Sequence, residues 1–195
     1  MRELTAEEKA ILDQHTKWLE SNGEYGTRAN LHNADLCDAD LRNAGLREAD
    51  LCDADLRGAN LREVDLRGGN LRDADLREAD LRGANLRGAN LCEADLRWAH
   101  LCDADLHNAD LRGADLREVD LHGADLRRAD LDFSSWPLWC GSRGVKTDDR
   151  LVAQLIWHVT RLDVSGCSGG VQEAVENIRS MAIADLFCEY RSDLS

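Results

Sequence analysis

Cysteine, histidine and carboxylate side chains are the groups in this chain that could do chemistry. Within residues 29–133 cysteine stands at 37, 52, 92 and 102 and histidine at 32, 100, 107 and 122; the remaining three cysteines lie nearer the C-terminal end, and the remaining histidines are His15 and His158. Thiolate and imidazole are the usual donors for zinc, but a metal needs three or four such groups converging on one point. No C-x-x-C pair is present. Carboxylates are abundant, 38 Asp+Glu against 24 Lys+Arg, and could act as paired acid and base. Catalysis would also require a nucleophile, a base and an orienting group gathered in a pocket. Which of these groups meet depends on the elements that carry them.

Those elements are copies of one short unit. Leucine occupies every fifth position from Leu31 to Leu131, 21 times without a slip. Alanine stands two residues before it in 18 of the 21 cases, the exceptions being Val64, Gly69 and Val119. Asp (14 times) or Asn (5 times) precedes the leucine, and Arg follows it 13 times, giving A-(D/N)-L-R-x. A five-residue period suits no continuous element. On an α-helix, at roughly 100° per residue, successive leucines would form no stripe. On an unbroken strand an odd period throws alternate leucines onto opposite faces. The chain must therefore turn once per unit, with Ala and Leu inward and Asp/Asn and Arg outward. The fifth residue sits at the corner, where its frequent Gly and Asn suit a turn.

The units ADLRN, ANLRE, ADLRE and ADLCD resemble those of the pentapeptide-repeat family, over about residues 29–133. The resemblance implies an all-β solenoid: a right-handed quadrilateral β-helix with four pentapeptides in each 20-residue coil, hence about five coils. It also implies a non-catalytic structural or protein-interaction scaffold, and no enzyme is expected. Each coil would bury its Leu and Ala against the next, in a narrow interior that favours Ala at the second inward place. Val64 and Gly69, large then small, read as volume compensation.

Stacking at 20-residue intervals sorts the candidate chemistry. His32 lies over Cys52, and Cys102 over His122, but two donors on a flat face fall short of a metal site, so neither metal nor cofactor is expected. Most carboxylates recur with the repeat and have an Arg two residues on, which predicts a surface ion-pair lattice. Asp35, Asp55, Asp75, Asp95 and Asp115 form one continuous column. Trp98 breaks the corner pattern, just before His100 and Cys102. It could anchor a partner or pack under a helix of the tail. The column and Trp98 are the candidate partner surface.

Charge bears on the nature of that partner. The net charge of −14 argues against nucleic acid as a direct ligand, since neutralising phosphates takes surplus cations. Several family members are associated with binding DNA gyrase, a type II topoisomerase, as mimics of the duplex, and this is the alternative role. Residues 29–133 hold 24 acids and 14 arginines, a net −10. Duplex DNA carries one charge per about 1.7 Å, so a coil rising about 4.8 Å would need nearly three, against about two here. The units running from Ala29 and from Ala34 sum to −5 and −4, so two adjacent faces carry nearly all of the surplus.

The flanks differ in composition from the repeat. Thr5-Ala-Glu-Glu8 is a capping box that predicts a helix over about 6–21, with Ile11, Leu12, His15, Trp18 and Leu19 on one face. Residues 1–28 are expected to cap the column at its N-terminal end. In 134–195, Trp136 and Trp139 would form a lid. Helices near 148–163 and 171–190 would form a hairpin with apolar Leu151, Leu155, Ile178 and Met181. Surface left over on that hairpin would suit a homodimer through the C-terminal region, the alternative being a monomer in which the hairpin only folds back as a cap. No apolar run approaches the roughly 18–20 residues of a membrane span and no signal-peptide core stands at the start. The expectation is a cytoplasmic, bacterial protein with no membrane contact and its seven cysteines reduced.

Overall fold

Each pentapeptide makes one tight turn. The Ala34 N–H donates to the Leu31 carbonyl at 3.0 Å, and the same bond closes every unit up to Ser134 and Leu131. The corner residue takes the left-handed conformation at each place from Asn33 to Arg128, with φ running from 54° at Glu63 to 72° at Gly123. Sequence reasoning looked to Gly and Asn here, yet Asp, Glu, Trp98 and Arg128 adopt the same φ. The reason lies in the ladder. Both the turn bond and the corner N–H, as in Asp38 to the Arg57 carbonyl at 2.8 Å, are made only with the chain bent this way. A non-glycine residue held there costs about 1–2 kcal/mol.

The units stack in parallel with a register of 20. Bridges join Asn30 to Asp50, Asp35 to Asp55 and Asp40 to Asn60, and continue in this way to Asp115 and Ser135. Four turns thus complete each circuit, and the backbone bonds run along the column axis. The computed structural model describes residues 1–132, 134–135 and 145–147. Met1–Lys146 forms one compact unit and Thr147–Ser195 a second, which beyond Thr147 lies outside the described residues. So do the expected lid and dimer residues Trp136, Trp139, Leu151, Leu155, Ile178 and Met181.

Leucine fills the interior. The 21 leucines of the repeat are between 0 and 3% exposed, and the alanines before them are buried almost throughout. At about 1.5–3 kcal/mol for each fully buried leucine, this ladder dominates the favourable side of folding. At Gly69 an added Cβ would stand 3.1 Å from the Leu66 carbonyl oxygen and 3.4 Å from Leu66 Cδ2, so the neighbouring leucine occupies the space an alanine would use. The outward Asp or Asn has a local task as well. Its Oδ1 accepts the N–H two residues on, as in Arg57 to Asp55 at 3.2 Å and Cys92 to Asn90 at 3.1 Å. This bond satisfies a donor that the turn leaves over.

Helix α1, Ala6–Glu20, follows the capping box: Glu8 N–H donates to Thr5 Oγ1 at 3.2 Å and Thr5 N–H to Glu8 Oε2 at 2.7 Å. Before it, Arg2 makes a single parallel bridge to Ala39, where its N–H reaches the Asp38 carbonyl at 2.6 Å. The Arg2 guanidinium grips both Glu8 oxygens, at 2.9 and 2.7 Å. That hydrogen bond, against the opposing effect of burial, brings the Glu8 pKa down to about 2. Two turns further along the same face of α1, His15 is fully buried, stacks on Trp18 with ring centroids 5.6 Å apart, and accepts the Ala29 N–H on Nδ1 at 3.1 Å. Nδ1 is therefore unprotonated, and burial holds the His15 pKa below its ordinary value. At the far end Lys146 pairs with Asp125 in the same parallel manner, one residue out of the 20-residue register.

Candidate functional site

The acidic column is saturated with arginine. Arg57 clasps Asp55 through Nε at 2.8 Å and Nη2 at 2.5 Å, and Arg77, Arg97 and Arg117 hold Asp75, Asp95 and Asp115 in the same two-pronged way. Each of the first three also leans toward the aspartate of the next coil: Arg57 to Asp75 at 3.7 Å, Arg77 to Asp95 at 3.5 Å and Arg97 to Asp115 at 3.6 Å. The bond from its arginine, opposed by burial, keeps Asp55 below the ordinary carboxylate pKa, and Asp115 likewise. For Asp95 burial is the largest influence and works upward, yet the bonds and charge of Arg97 outweigh it. Asp35 has Cys37 in place of an arginine, and its Oδ1 accepts the Cys37 N–H at 3.2 Å. The expected ion-pair lattice is present, and it places a cation on four of the five column carboxylates.

The corners hold a different set of acids. Trp98 is 49% exposed, and the Arg97 guanidinium carbon lies 5.5 Å from its ring centroid. It is part of an open cleft of about 530 Å³ lined by Glu78, Trp98, His100 and Glu118. Glu78 and Glu118 stand 20 residues to either side of Trp98, at the same corner of the neighbouring coils. Among the described residues neither glutamate has an ion-pair partner. Sequence reasoning singled out Trp98 but missed these two, although the register that stacked the aspartates stacks them too.

The thiols are quiet. Cys52 donates to Asp53 Oδ2 at 3.2 Å and Cys102 to Asp120 Oδ2 at 3.0 Å. Burial first, and these hydrogen bonds second, push both pKa values up to about 11. Both are therefore protonated thiols at neutral pH, each hydrogen-bonded to a carboxylate. The two stacked His–Cys pairs differ in one respect. At Cys102 the carboxylate partner is shared with the His122 N–H. At Cys52, His32 Nδ1 comes within 3.7 Å of Asp53 Oδ2, so three donors draw together where stacking alone counted two. The corner position of Asp53, one residue beyond Cys52, is the signal that a face-by-face reading passes over.

The model of the pentapeptide-repeat family matches in overlapping segments over residues 29–68, 59–97, 70–108 and 94–132. This chain belongs to the pentapeptide-repeat family. Members share the right-handed quadrilateral β-helix. Among solved structures, the pentapeptide-repeat protein HetL of the cyanobacterium Nostoc, described as involved in the regulation of heterocyst differentiation, is 38% identical. The match covers 62% of this chain and 54% of HetL with a TM-score of 0.55, so this chain spans about half the length of that relative. A second Nostoc pentapeptide-repeat protein is 32% identical over 71% of this chain and 96% of its own, with a TM-score of 0.40. QnrB1, a plasmid-mediated fluoroquinolone resistance protein, is 20% identical over 67% of this chain and 78% of its own, with a TM-score of 0.35. No curated protein matches the chain. Among the described residues no helix is long and apolar enough to cross a membrane.

Proposed function

We propose that this protein is a cytoplasmic protein-interaction scaffold: a column of about five coils, closed at its N-terminal end by α1, that reads its partner through the corner side chains rather than the aspartate column. The observation carrying this reading is the contrast in how the acids are used. Four of the five column carboxylates are engaged by arginine, whereas the Trp98 corner offers an exposed aromatic face between two glutamates without ion pairs among the described residues. An exposed tryptophan flanked by carboxylates suits a lysine or arginine side chain of a protein partner, held by cation–π attraction and charge. A duplex mimic works in the opposite way, since it needs its carboxylates unpaired, and this argues against the gyrase alternative.

The test is a cross-linked pull-down from the source cell with three forms of the chain. A partner captured by wild type should be lost with Trp98→Gly, which keeps the left-handed corner, and retained with Asp75→Asn. Loss with Asp75→Asn and retention with Trp98→Gly would put the contact on the column instead. In a supercoiling assay the purified chain should leave gyrase unaffected, and inhibition that weakens with salt and with Asp55→Asn or Asp95→Asn would restore the mimic.

A further inference from the structure

The corner between the first two coils carries a donor set unlike any other on the described surface. One imidazole nitrogen of His32, Sγ of Cys52 and a carboxylate oxygen of Asp53 all lie within 4.8 Å of one another. Within that triangle Cys52 Sγ is 3.2 Å and His32 Nδ1 3.7 Å from Asp53 Oδ2. A tetrahedral zinc ion, with bonds of roughly 2.0–2.3 Å, holds its donors about 3.3–3.7 Å apart. The His32–Asp53 edge already has that length, the Cys52–Asp53 edge falls about 0.1 Å short of it, and the third, within 4.8 Å, would have to close by side-chain rotation.

Backbone rather than chance places the three groups. Cys52 and Asp53 are consecutive, and the left-handed corner at Asp53 (φ 56°) is fixed by the ladder, with its N–H on the Arg72 carbonyl at 3.0 Å. The Cys52 carbonyl accepts the Asn33 N–H at 3.0 Å and the His32 Nδ1–H at 2.9 Å, which holds the ring beside Cys52 and Asp53; for Nδ1 to face a metal that proton must move to Nε2. The carboxylate of Asp53 is not claimed by an arginine, unlike Asp73 one coil on, which pairs with Arg72 at 3.1 Å. At Cys102, where thiol and carboxylate also meet, no third donor joins them; among the described residues this is the one such set of His, Cys and carboxylate.

We propose that His32, Cys52 and Asp53 bind a borderline transition-metal dication, zinc being the natural fit, with the Cys52 thiol releasing its proton to solvent as the ion binds, the His32 proton moving to Nε2, and water completing the fourth position. One N, one S and one O donor select against the hard cations magnesium and calcium, which take oxygen alone. The ion would tie the first coil, through His32, to the second, through Cys52 and Asp53.

Cobalt(II) tests this directly, because thiolate coordination gives a near-ultraviolet charge-transfer band that carboxylate or imidazole binding does not. The full chain, reduced with a non-chelating phosphine, should develop this band and saturate at one metal per chain at the Cys52 site, with zinc displacing the cobalt. Cys52→Ser should abolish that component. His32→Gln, and Asp53→Asn, which suits the left-handed corner, should each weaken binding by at least about tenfold. Cys102→Ser should leave it unchanged. All four side chains are at least partly exposed, and circular dichroism of each variant should match wild type. An identical titration for wild type and Cys52→Ser, or a band that disappears with Cys102→Ser instead, would overturn the proposal.

Discussion

The inward leucines and the outward corners belong to the same five-residue unit, yet they make opposite demands. A leucine position requires a particular side chain and tolerates an ordinary backbone; its neighbours touch it on every side and water does not. A corner requires a particular backbone and tolerates almost any side chain: asparagine, aspartate, glutamate, glycine, arginine and tryptophan all occupy it at the same positive φ. The difference teaches where such a column can hold function. The core is committed to stacking and the aspartate row to turn bonds and arginine, so the corners are where side chains are left free to differ from coil to coil. Trp98, Glu78, Glu118 and Asp53 all stand there.

Leu81→Asp should give the largest effect, because it buries a carboxylate among leucines with no partner in reach. We expect a loss of roughly 4 kcal/mol or more, seen as collapse of the thermal transition followed by circular dichroism. If the variant melted like wild type, the inward assignment would fail. A second break in the comparison lies where a buried side chain is not a leucine. Burial lowers the pKa of His15 from its ordinary 6.5. The unfolded chain therefore binds the proton more readily than the folded one, so the stability this group contributes is present above about 6.5 and is lost as pH falls through the folded value. Hydrogen exchange of the α1 amides, corrected for intrinsic rates, should speed up on going from neutral pH to mildly acidic pH while the leucine-ladder amides stay protected. His15→Leu should remove the pH response in this range. The carboxylates of Glu8 and Asp125, with pKa values brought down to about 2, act only at much lower pH.

Corner changes should be smaller and, for once, favourable. Glu118→Gly relieves a left-handed penalty of about 1–2 kcal/mol and adds back roughly 0.5–1 in chain entropy, so we expect a net gain of about 0.5–1 kcal/mol in chemical denaturation. The reverse change, Gly123→Ala, should lose a similar amount, since its Cβ would run into the side chain of Asp103. Smallest of all, Asp75→Asn should shift stability by less than about 0.5 kcal/mol, because the amide oxygen still accepts the Arg77 N–H and exposed ion pairs contribute little. A large loss there would mean that the arginine lattice, rather than the leucine core, holds the column together.

The sequence displayed the column almost in full, because a strict period of five with inward Leu and Ala admits only a chain that turns once per unit. The capping box announced α1 within a residue of its observed end. What the repeat could not display were contacts made from outside it: the single bridge of Arg2 to Ala39, its grip on Glu8, and the displaced register of Lys146 have no periodic signal. Surface chemistry was half visible. The aspartate row stood out because it recurs, but recurrence in this case reports a turn bond, as Arg57 to Asp55 shows, and not a binding face. Asp53 carries no such signal, since it joins His32 and Cys52 from the adjacent position, and Glu78 and Glu118 are ordinary corner residues that only their stacking on Trp98 sets apart.

The register of 20 makes the column a dial as well as a stack. Inserting one five-residue unit at, say, Arg62 would keep every leucine inside and every turn intact, yet it would rotate all that follows by a quarter of a circuit. An insertion between Glu78 and Trp98 would carry the tryptophan round to the next corner, leaving Glu118 beside it but Glu78 behind on another face. Four units inserted together would restore the angle and only lengthen the column by about 4.8 Å. The fold is therefore almost indifferent to such events while the surface pattern is acutely sensitive to their number, so that the angular position of a group is inherited from unit count alone, separately from the stability of the coil that bears it.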